Sequence, residues 1–134
     1  MPSSSTFVTE AVAVGDFNGD GYPDLAVLCV SSTIQPYENP TTVSATVNIL
    51  LNNGAGIFDA PTVITLSSNE MGATAIAVAH FGVDKNWDLA ILNSGSDNVS
   101  ILLGNGDGSF QSAVDYATGP QSSGFAIGDL NHDG

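Results

Sequence analysis

The chain has 134 residues, of which 43% are hydrophobic and 11% are charged, so it is long enough and apolar enough to fold around a core of its own. Fourteen acidic residues against the single base Lys85 give a formal net charge of −13, which excludes nucleic acid as an expected partner and favours cations. No apolar run approaches the roughly twenty residues of a membrane-spanning helix, so we expect no membrane insertion.

The first two predicted strands flank a loop that is rich in acidic residues and glycine. The strands are AVAV at 11–14 and DLAVLCV at 24–30. Between them, side-chain oxygens recur at alternate positions, and such a loop can surround a calcium ion with oxygen ligands. The ligands that we predict are the side chains of Asp16, Asn18, Asp20 and Asp24 and the backbone carbonyl of Tyr22. Gly19 and Gly21 supply the positive φ angles that this turn requires.

The residues around and after this loop distinguish it from an EF-hand. Val27 stands at the twelfth position, where an EF-hand has a glutamate, and the flanking runs are strands rather than long helices. Cys29 is the only cysteine, so it cannot form an intrachain disulfide, and we predict that it is buried in the second strand. The polar stretch 31–45 contains two prolines and is predicted to be a loop at the rim of the fold.

The chain contains an internal repeat of two hairpins. Residues 11–28 align without gaps with residues 75–92, and the beginning of the motif returns at 125–134. A second matching element follows each of the first two copies, at 47–63 and at 99–115. Each unit therefore predicts one four-stranded antiparallel sheet. The predicted units are 1–68, 69–119 and an incomplete third unit, 120–134.

The strand sequences predict how these sheets are arranged. AVAV, DLAVL and VNILL are nearly continuous in apolar residues, so both faces of each sheet must be covered. Four-stranded sheets that recur about every 50 residues and stack face to face are the blades of a β-propeller. We therefore predict an all-β fold, an incomplete propeller with two full blades and the first strand of a third.

The second copy of the acidic loop has lost two of its calcium ligands. His80 stands at the position of Asp16, and Gly82 stands at the position of Asn18. We therefore expect no calcium in the loop at 80–88.

Other residues of the second loop offer substitutes for the metal. The ammonium group of Lys85 would neutralise Asp84 or Asp88 and hold a similar turn. His80 is expected to be a hydrogen-bonded structural residue, because no second His or Cys stands at a ligand spacing. Trp87 is expected to pack over the neighbouring blade or, alternatively, to form a platform on which a sugar ring stacks.

A third copy of the loop begins near residue 129. Its predicted ligands are Asp129, Asn131 and Asp133, and the carboxylate that would complete the set would follow Gly134. We therefore expect the chain to be a piece of a longer protein. The alternative is that strand 124–130 pairs into a blade of another chain, because an exposed strand edge is a template for β-addition.

Glycine-rich turns follow the third strand of each full unit, at 52–56 and 104–108. We predict hairpin turns, since Gly and Asn tolerate positive φ angles. A phosphate-binding loop is excluded because neither a helix nor a lysine follows. Phe58 and Phe110 occupy equivalent positions after these turns and are predicted to fill the core.

Two of these motifs carry a resemblance to a known family. GDFNGDGYPDLAV at 15–27 and LLGNGDGSF at 102–110 resemble the FG-GAP/VCBS repeats of integrin α-subunit propellers and of many secreted bacterial and fungal proteins. The resemblance covers nearly the whole chain. It implies a calcium-stabilised extracellular β-propeller in which the metal loop joins the first and second strands of a blade.

No catalytic constellation is recognisable, and we expect a binding module rather than an enzyme. Two histidines and one cysteine do not supply a nucleophile, a base and an orienting acid, and the acids best placed for glycosidase chemistry are assigned to metal. We expect a secreted or cell-surface scaffold or adhesion module whose rim loops contact a protein or a glycan. The alternatives are a structural subunit that assembles through open blade edges and a lectin with sugar pockets between blades.

Overall fold

A computed structural model of the chain describes residues 4–34, 42–67, 72–128 and 130, and these residues form β-strands joined by loops. The first four strands are β1 (Ser4–Gly15), β2 (Asp24–Ile34), β3 (Thr42–Leu50) and β4 (Thr62–Thr65). The next four are β5 (Ala73–Ala79), β6 (Asp88–Asn93), β7 (Asn98–Leu102) and β8 (Val114–Ala117). Within the described ranges there is no helix, and therefore none long and apolar enough to cross a membrane.

The strands form two separate four-stranded sheets. Their orders are β1-β2-β3-β4 and β5-β6-β7-β8, and every neighbouring pair is antiparallel. The registers repeat as well, because Ala26 faces Ile49 in the first sheet and Ala90 faces Ile101 in the second. Consecutive strands that are neighbours in a four-stranded antiparallel sheet make a propeller blade. The predicted all-β fold of propeller blades is thus confirmed, and we call the two sheets blade 1 and blade 2.

The core lies between the two blades. Blade 1 contributes one face of β2 and β3, and blade 2 contributes alternate residues of β6 and the end of β7. The residues of these strands that form one buried hydrophobic cluster are Ala26, Leu28, Ala45, Val47, Ile49, Leu89, Ile91 and Leu102. All six residues of β6 are buried, which accounts for the continuous apolar sequence of this strand.

The two blades also meet at their loops, where Phe17 of blade 1 contacts the turn after β7. The rings of Phe17 and Phe110 meet edge to face, with centroids 5.5 Å apart. The backbone N–H of Gly108 donates a hydrogen bond to the carbonyl of Phe17 at 2.9 Å. Gly108 also lies against Leu51, so that a β-carbon at this glycine would come within 2.8 Å of the leucine side chain. We call the contacts of these four residues the interblade joint.

The prediction of a rim loop over 31–45 is wrong for much of that stretch. β2 continues to Ile34 and β3 begins at Thr42, and the two strands pair from Ser31↔Ser44 to Thr33↔Thr42. The hydroxyl oxygens of Ser31 and Ser44 lie 2.7 Å apart. The backbone ladder does not require apolar side chains, so a polar sequence can extend the hairpin. The remaining residues, 35–41, lie outside the described part of the chain.

Two predictions of buried side chains also change. Cys29 is half-buried rather than buried, and its sulfur lies 3.5 Å from the side-chain amide of Asn48. Phe110 packs against the core as predicted, whereas Phe58 is 38% exposed. Both exceptions lie on the side of blade 1 that faces away from blade 2, where no other blade covers them within the described residues.

The third unit is described only in part. Residues 124–128, which begin the predicted strand 124–130, form no strand in the structure. In both blades the first strand pairs with the strand after the acidic loop. The unit boundaries at 1–68, 69–119 and 120–134 stay predictions.

Candidate metal centre

The loop between β1 and β2 brings together three of the predicted calcium ligands. The carboxylate of Asp16 accepts hydrogen bonds from the backbone N–H groups of Asp20 at 3.1 Å and Gly21 at 2.9 Å. The side-chain amide of Asn18 donates to Asp20 at 2.8 Å, and its oxygen accepts from the Asp20 N–H at 3.2 Å. Gly19 and Gly21 have φ angles of 73° and 89°, as predicted. The side-chain oxygens of Asp16, Asn18 and Asp20 therefore lie on one tight turn at the surface.

Tyr22 continues this turn. Its backbone N–H donates to the carboxylate of Asp20 at 2.9 Å. Its ring packs on the glycine turn of the same blade so closely that a β-carbon at Gly54 would come within 2.5 Å of the ring. The side chain therefore fixes the position of the backbone whose carbonyl is the fifth predicted ligand.

Asp24 is directed into the protein and is fully buried. One carboxylate oxygen accepts from the backbone N–H of Phe17 at 2.8 Å, and the other accepts from that of Asn52 at 2.8 Å. Asp24 thus ties the acidic loop to the turn after β3. These hydrogen bonds use one lone pair of each carboxylate oxygen.

Asp88 makes the same connection in blade 2. One oxygen of its buried carboxylate accepts from the N–H groups of Phe81 at 2.7 Å and Gly82 at 3.1 Å, and the other accepts from Gly104 at 2.8 Å. The last aspartate of the loop therefore holds the two hairpins of each blade together. Backbone amides that would otherwise be buried without a partner are satisfied by a charged acceptor, and such hydrogen bonds are stronger than neutral ones.

In the second loop, His80 takes the place of Asp16 and bonds to a different group. Its Nδ1 lies 2.7 Å from the carbonyl oxygen of Asn86, so this nitrogen carries the proton and donates it. The imidazole also stacks on Trp87, with ring centroids 4.0 Å apart and an interplanar angle of 29°. Trp87 is half-buried and packs against the core, as the packing interpretation predicts. The expectation that His80 is a hydrogen-bonded structural residue agrees with these contacts.

The acids of the second loop have partners other than Lys85. Asp84 accepts from the backbone N–H of Asn86 at 3.2 Å and from its side-chain amide at 3.1 Å. Asp88 is surrounded by backbone amides. Because the loop is closed by Asp84, Asn86 and His80, the proposed neutralisation by Lys85 is not needed to explain its conformation.

The turn at 104–110 lies beside the first loop and carries its own carboxylate. A β-carbon at Gly19 would be 3.9 Å from the carbonyl oxygen of Gly106. In this turn, Asp107 accepts hydrogen bonds from the hydroxyl of Ser109 at 2.6 Å and from its N–H at 2.9 Å. The hydroxyl, followed by the N–H, lowers the pKa of the exposed Asp107 carboxyl below its ordinary value.

The first loop offers donors of the type that calcium prefers, because every predicted ligand is an oxygen. Within the described ranges, no three His, Cys, Asp or Glu side chains form a group that could hold a metal ion. Of the three ligand side chains that the turn brings together, one is the amide of Asn18 and not a carboxylate. Asp24 accepts hydrogen bonds from backbone N–H groups. The calcium assignment for the first loop therefore stays a prediction. Asp129, Asn131 and Asp133 lie outside the described residues.

The sequence alone did not reveal the backbone partners of the last aspartate. Asn52 lies in the turn after β3 and donates its N–H to Asp24 in blade 1. Gly104 lies in the turn after β7 and donates its N–H to Asp88 in blade 2. One signal was present in the sequence. The second loop keeps Asp88 although it has lost two other calcium ligands, which indicates that this aspartate has a role besides metal binding.

Comparison with known proteins agrees with the repeat structure. A family model described as the FG-GAP repeat matches residues 8–27, and one described as an FG-GAP-like repeat matches residues 81–134. No curated protein and no solved structure matches the chain. The first match covers most of β1, the acidic loop and the beginning of β2, and the second begins at the same loop of blade 2. On these matches and on its two four-stranded blades, the chain belongs to the FG-GAP repeat family.

Proposed function

We propose that the chain is a calcium-stabilised extracellular module of β-propeller blades that acts as a scaffold or adhesion surface and binds a protein or a glycan through its exposed loops. FG-GAP repeats indicate a propeller-type module and are typical of extracellular proteins. The net charge of −13 favours a cation and opposes anionic partners such as nucleic acid. The role is one of binding, since function in a propeller lies in the sites that its scaffold carries.

The observation that carries the calcium part of the proposal is the gathering of Asp16, Asn18 and Asp20 on one turn. Two carboxylates on a tight turn repel each other, and a divalent cation between them would turn this repulsion into attraction. The turn is continuous with Phe17, which belongs to the interblade joint. Calcium in the first loop would therefore stabilise the packing of blade 1 on blade 2.

A calcium titration of the chelated protein tests this role. At about 1 mM calcium, an extracellular-type site with a dissociation constant of about 10⁻⁴–10⁻³ M adds about 1 kcal/mol to the free energy of unfolding, so the melting temperature should rise by a few degrees. Magnesium at the same concentration controls for ionic strength.

Two equivalent substitutions make the test specific to the first loop. Asp20→Asn should abolish the calcium response, while Asp84→Asn, at the same position of the second loop, should preserve it. A parent protein whose melting temperature is the same in calcium and in chelator would show that the calcium assignment is wrong.

A cleft between the blades favours a glycan as a second candidate ligand. It has a volume of about 480 Å³ and lies between the end of β4 and the outer part of blade 2. Its polar lining includes Thr65, Ser67, Gln111, Ser112 and the carboxylate of Asp115. Hydroxyl and carboxylate groups beside apolar surface are suited to the hydroxyl groups and ring faces of a sugar.

Glycan-array binding by the parent chain tests this candidate. Asp115→Asn should weaken any signal, and Asp59→Asn, an exposed position outside the cleft, should leave it unchanged. A signal that is equal in both variants would place the sugar elsewhere, and a blank array would favour a protein ligand.

A further inference from the structure

The interblade joint shows what kind of surface can pack on the outer faces of the two blades. It pairs a loop face of one blade, with Phe17 and Leu51, with a turn face of the next blade, with Gly108 and Phe110. Because the blades are repeats, each of these residues has a counterpart. Phe81 and Leu103 correspond to the loop face, and Gly56 and Phe58 correspond to the turn face. Within the described residues, one loop face and one turn face are therefore not used in the joint.

The unused loop face lies on blade 2. Phe81 is 41% exposed there, whereas Phe17 in the joint is 2% exposed. Phe81 lies at a groove of about 350 Å³ that is lined by the apolar Ile101, Leu103, Val114 and Tyr116 and by the polar Gln111 and Ser112. None of the described residues that line this groove is charged. On blade 1, the equivalent position is covered by blade 2. The groove on blade 2 is therefore a surface on which a further blade can dock.

The unused turn face lies on blade 1. Phe58 is 38% exposed, while its counterpart Phe110 packs against Phe17. Val12 and Val14 are 53% and 58% exposed. Their counterparts Ile76 and Val78 are half-buried against the core. A β-carbon at Gly56 would meet nothing within 4 Å, whereas its counterpart Gly108 lies against Leu51. This face therefore has the shape and side chains of the surface that blade 2 buries in the joint.

We propose that a second copy of this chain packs its blade 1 on the blade 2 of the first copy and reproduces the interblade joint between molecules. Phe58 of one copy then contacts Phe81 of the other, as Phe110 contacts Phe17 within the chain. The N–H of Gly56 donates to the carbonyl of Phe81, as that of Gly108 donates to Phe17. The partner is a second copy because both halves of a joint of known geometry are present on one chain.

This contact joins faces of blades and does not add strands to blade edges. It is heterologous, since the two copies contribute different surfaces, and such contacts form closed rings or open filaments. Propellers typically have 4–8 blades, and the described residues of each copy form two, so rings of two to four copies would supply that number from these blades.

The net charge of the chain gives the assembly a distinctive salt dependence. Two copies with a charge of −13 each repel at long range, while the surfaces in contact are apolar. Salt screens the repulsion and leaves apolar contacts intact. Association should therefore strengthen as the salt concentration rises. The proposal is independent of the ligand that the exposed loops bind.

Sedimentation analysis of the 134-residue chain over a wide concentration range tests the proposal, with two single substitutions. Phe58→Ser removes the contact of the turn face, and Phe81→Ser removes that of the loop face. Each variant alone should be monomeric. A 1:1 mixture should form a dimer and nothing larger, because each variant keeps one intact face. Val8→Ser is the control, and this variant should assemble as the parent does. Val8 pairs with Val30 and lies on the opposite face of blade 1 from Val12 and Val14.

Three outcomes would overturn the proposal. They are a parent chain that stays monomeric at every concentration and salt level, assembly that persists in both variants, and a mixture of folded variants that forms no dimer. Circular dichroism establishes that the variants are folded. If either serine variant unfolds, Val14→Glu on the turn face and Tyr116→Glu on the loop face replace the pair, because both side chains are 58% exposed and contribute little to the fold.

Discussion

His80 Nδ1 lies 2.7 Å from the carbonyl oxygen of Asn86, and these residues occupy the positions that Asp16 and Tyr22 hold in the first loop. In the first loop, both groups are predicted to face a cation. In the second, an imidazole N–H faces the carbonyl directly, and the ring is held in place by Trp87. The N–H of His80 therefore contacts the Asn86 carbonyl oxygen in the second loop, where calcium would contact the equivalent Tyr22 carbonyl oxygen in the first loop.

Reversing this exchange should create a second calcium site. The quadruple substitution His80→Asp, Gly82→Asn, Val83→Gly and Lys85→Gly restores both the ligands and the glycines of the first loop, so calorimetry should detect one more calcium ion per chain than in the parent. The matched control combines His80→Ala with the same three other substitutions, which removes the imidazole without adding a carboxylate. If the control binds as much calcium as the restored loop, the comparison of the two loops is wrong.

Replacing the buried carboxylate of Asp88 should strongly destabilise blade 2. In Asp88→Asn, the NH₂ group faces a backbone N–H and leaves a buried donor without a partner, which costs about 2–3 kcal/mol. Urea unfolding in the presence of chelator measures the change. Asp84→Asn is the control within the same loop, and because this residue is exposed and asparagine keeps an acceptor oxygen for the Asn86 N–H, its effect should stay below about 0.5 kcal/mol. Equal effects of the two variants would contradict the role assigned to Asp88.

The repeat made the fold predictable, and the environment of each repeat decided where the prediction failed. The antiparallel order of each blade followed from the alignment of 11–28 with 75–92, because equal sequences adopt equal hairpins. Phe58 and Phe110 illustrate the limit. Their local sequences are alike, but only Phe110 has a neighbouring blade on its side within the described residues. Burial depends on that neighbour, which the local sequence does not specify.

The acidic loop shows the same limit at the level of hydrogen bonds. The positions of Asp16, Asn18 and Asp20 predicted which side chains come together, since a tight glycine turn leaves few alternatives. The pairing of Asp24 with the N–H of Asn52 joins residues that are distant in sequence and depends on how the second hairpin folds back. The contact of His80 with Asn86 depends on a side-chain rotamer and a tautomer, which the order of residues does not encode.

Two glycine substitutions distinguish the free-energy contribution of the interblade contact from that of backbone strain. Gly108 and Gly56 have similar φ angles of 87° and 76°, so alanine should cost about 1–2 kcal/mol of strain at either position. At Gly108 the new methyl group also meets Leu51, which should add about 1–3 kcal/mol. Thermal unfolding at low concentration measures both variants. A smaller loss for Gly108→Ala than for Gly56→Ala would contradict the packing of this turn.

The carboxyl of Asp107 should titrate below its ordinary pKa of 3.8. The hydroxyl of Ser109 is the main cause, so Ser109→Ala should raise the pKa of Asp107 towards that ordinary value. Because the folded-state pKa is depressed, the stabilisation is present above pH 3.8 and is lost as the pH falls through the folded-state pKa. Carbon-detected NMR titration measures the shift, with Ser112→Ala as a control. A titration curve that Ser109→Ala leaves unchanged would assign the shift to another group.

The buried contacts of Asp24 and Asp88 have a consequence for how such repeats diversify. Since each blade is closed by its own carboxylate and amides, a mutation that removes ligands at the front of the loop leaves the strands in place. Under the proposed calcium role, a lineage would therefore be able to lose calcium from one blade at a time without losing the fold of that blade. The loop positions released in this way are free to change, and new recognition surfaces can arise there at little cost to folding.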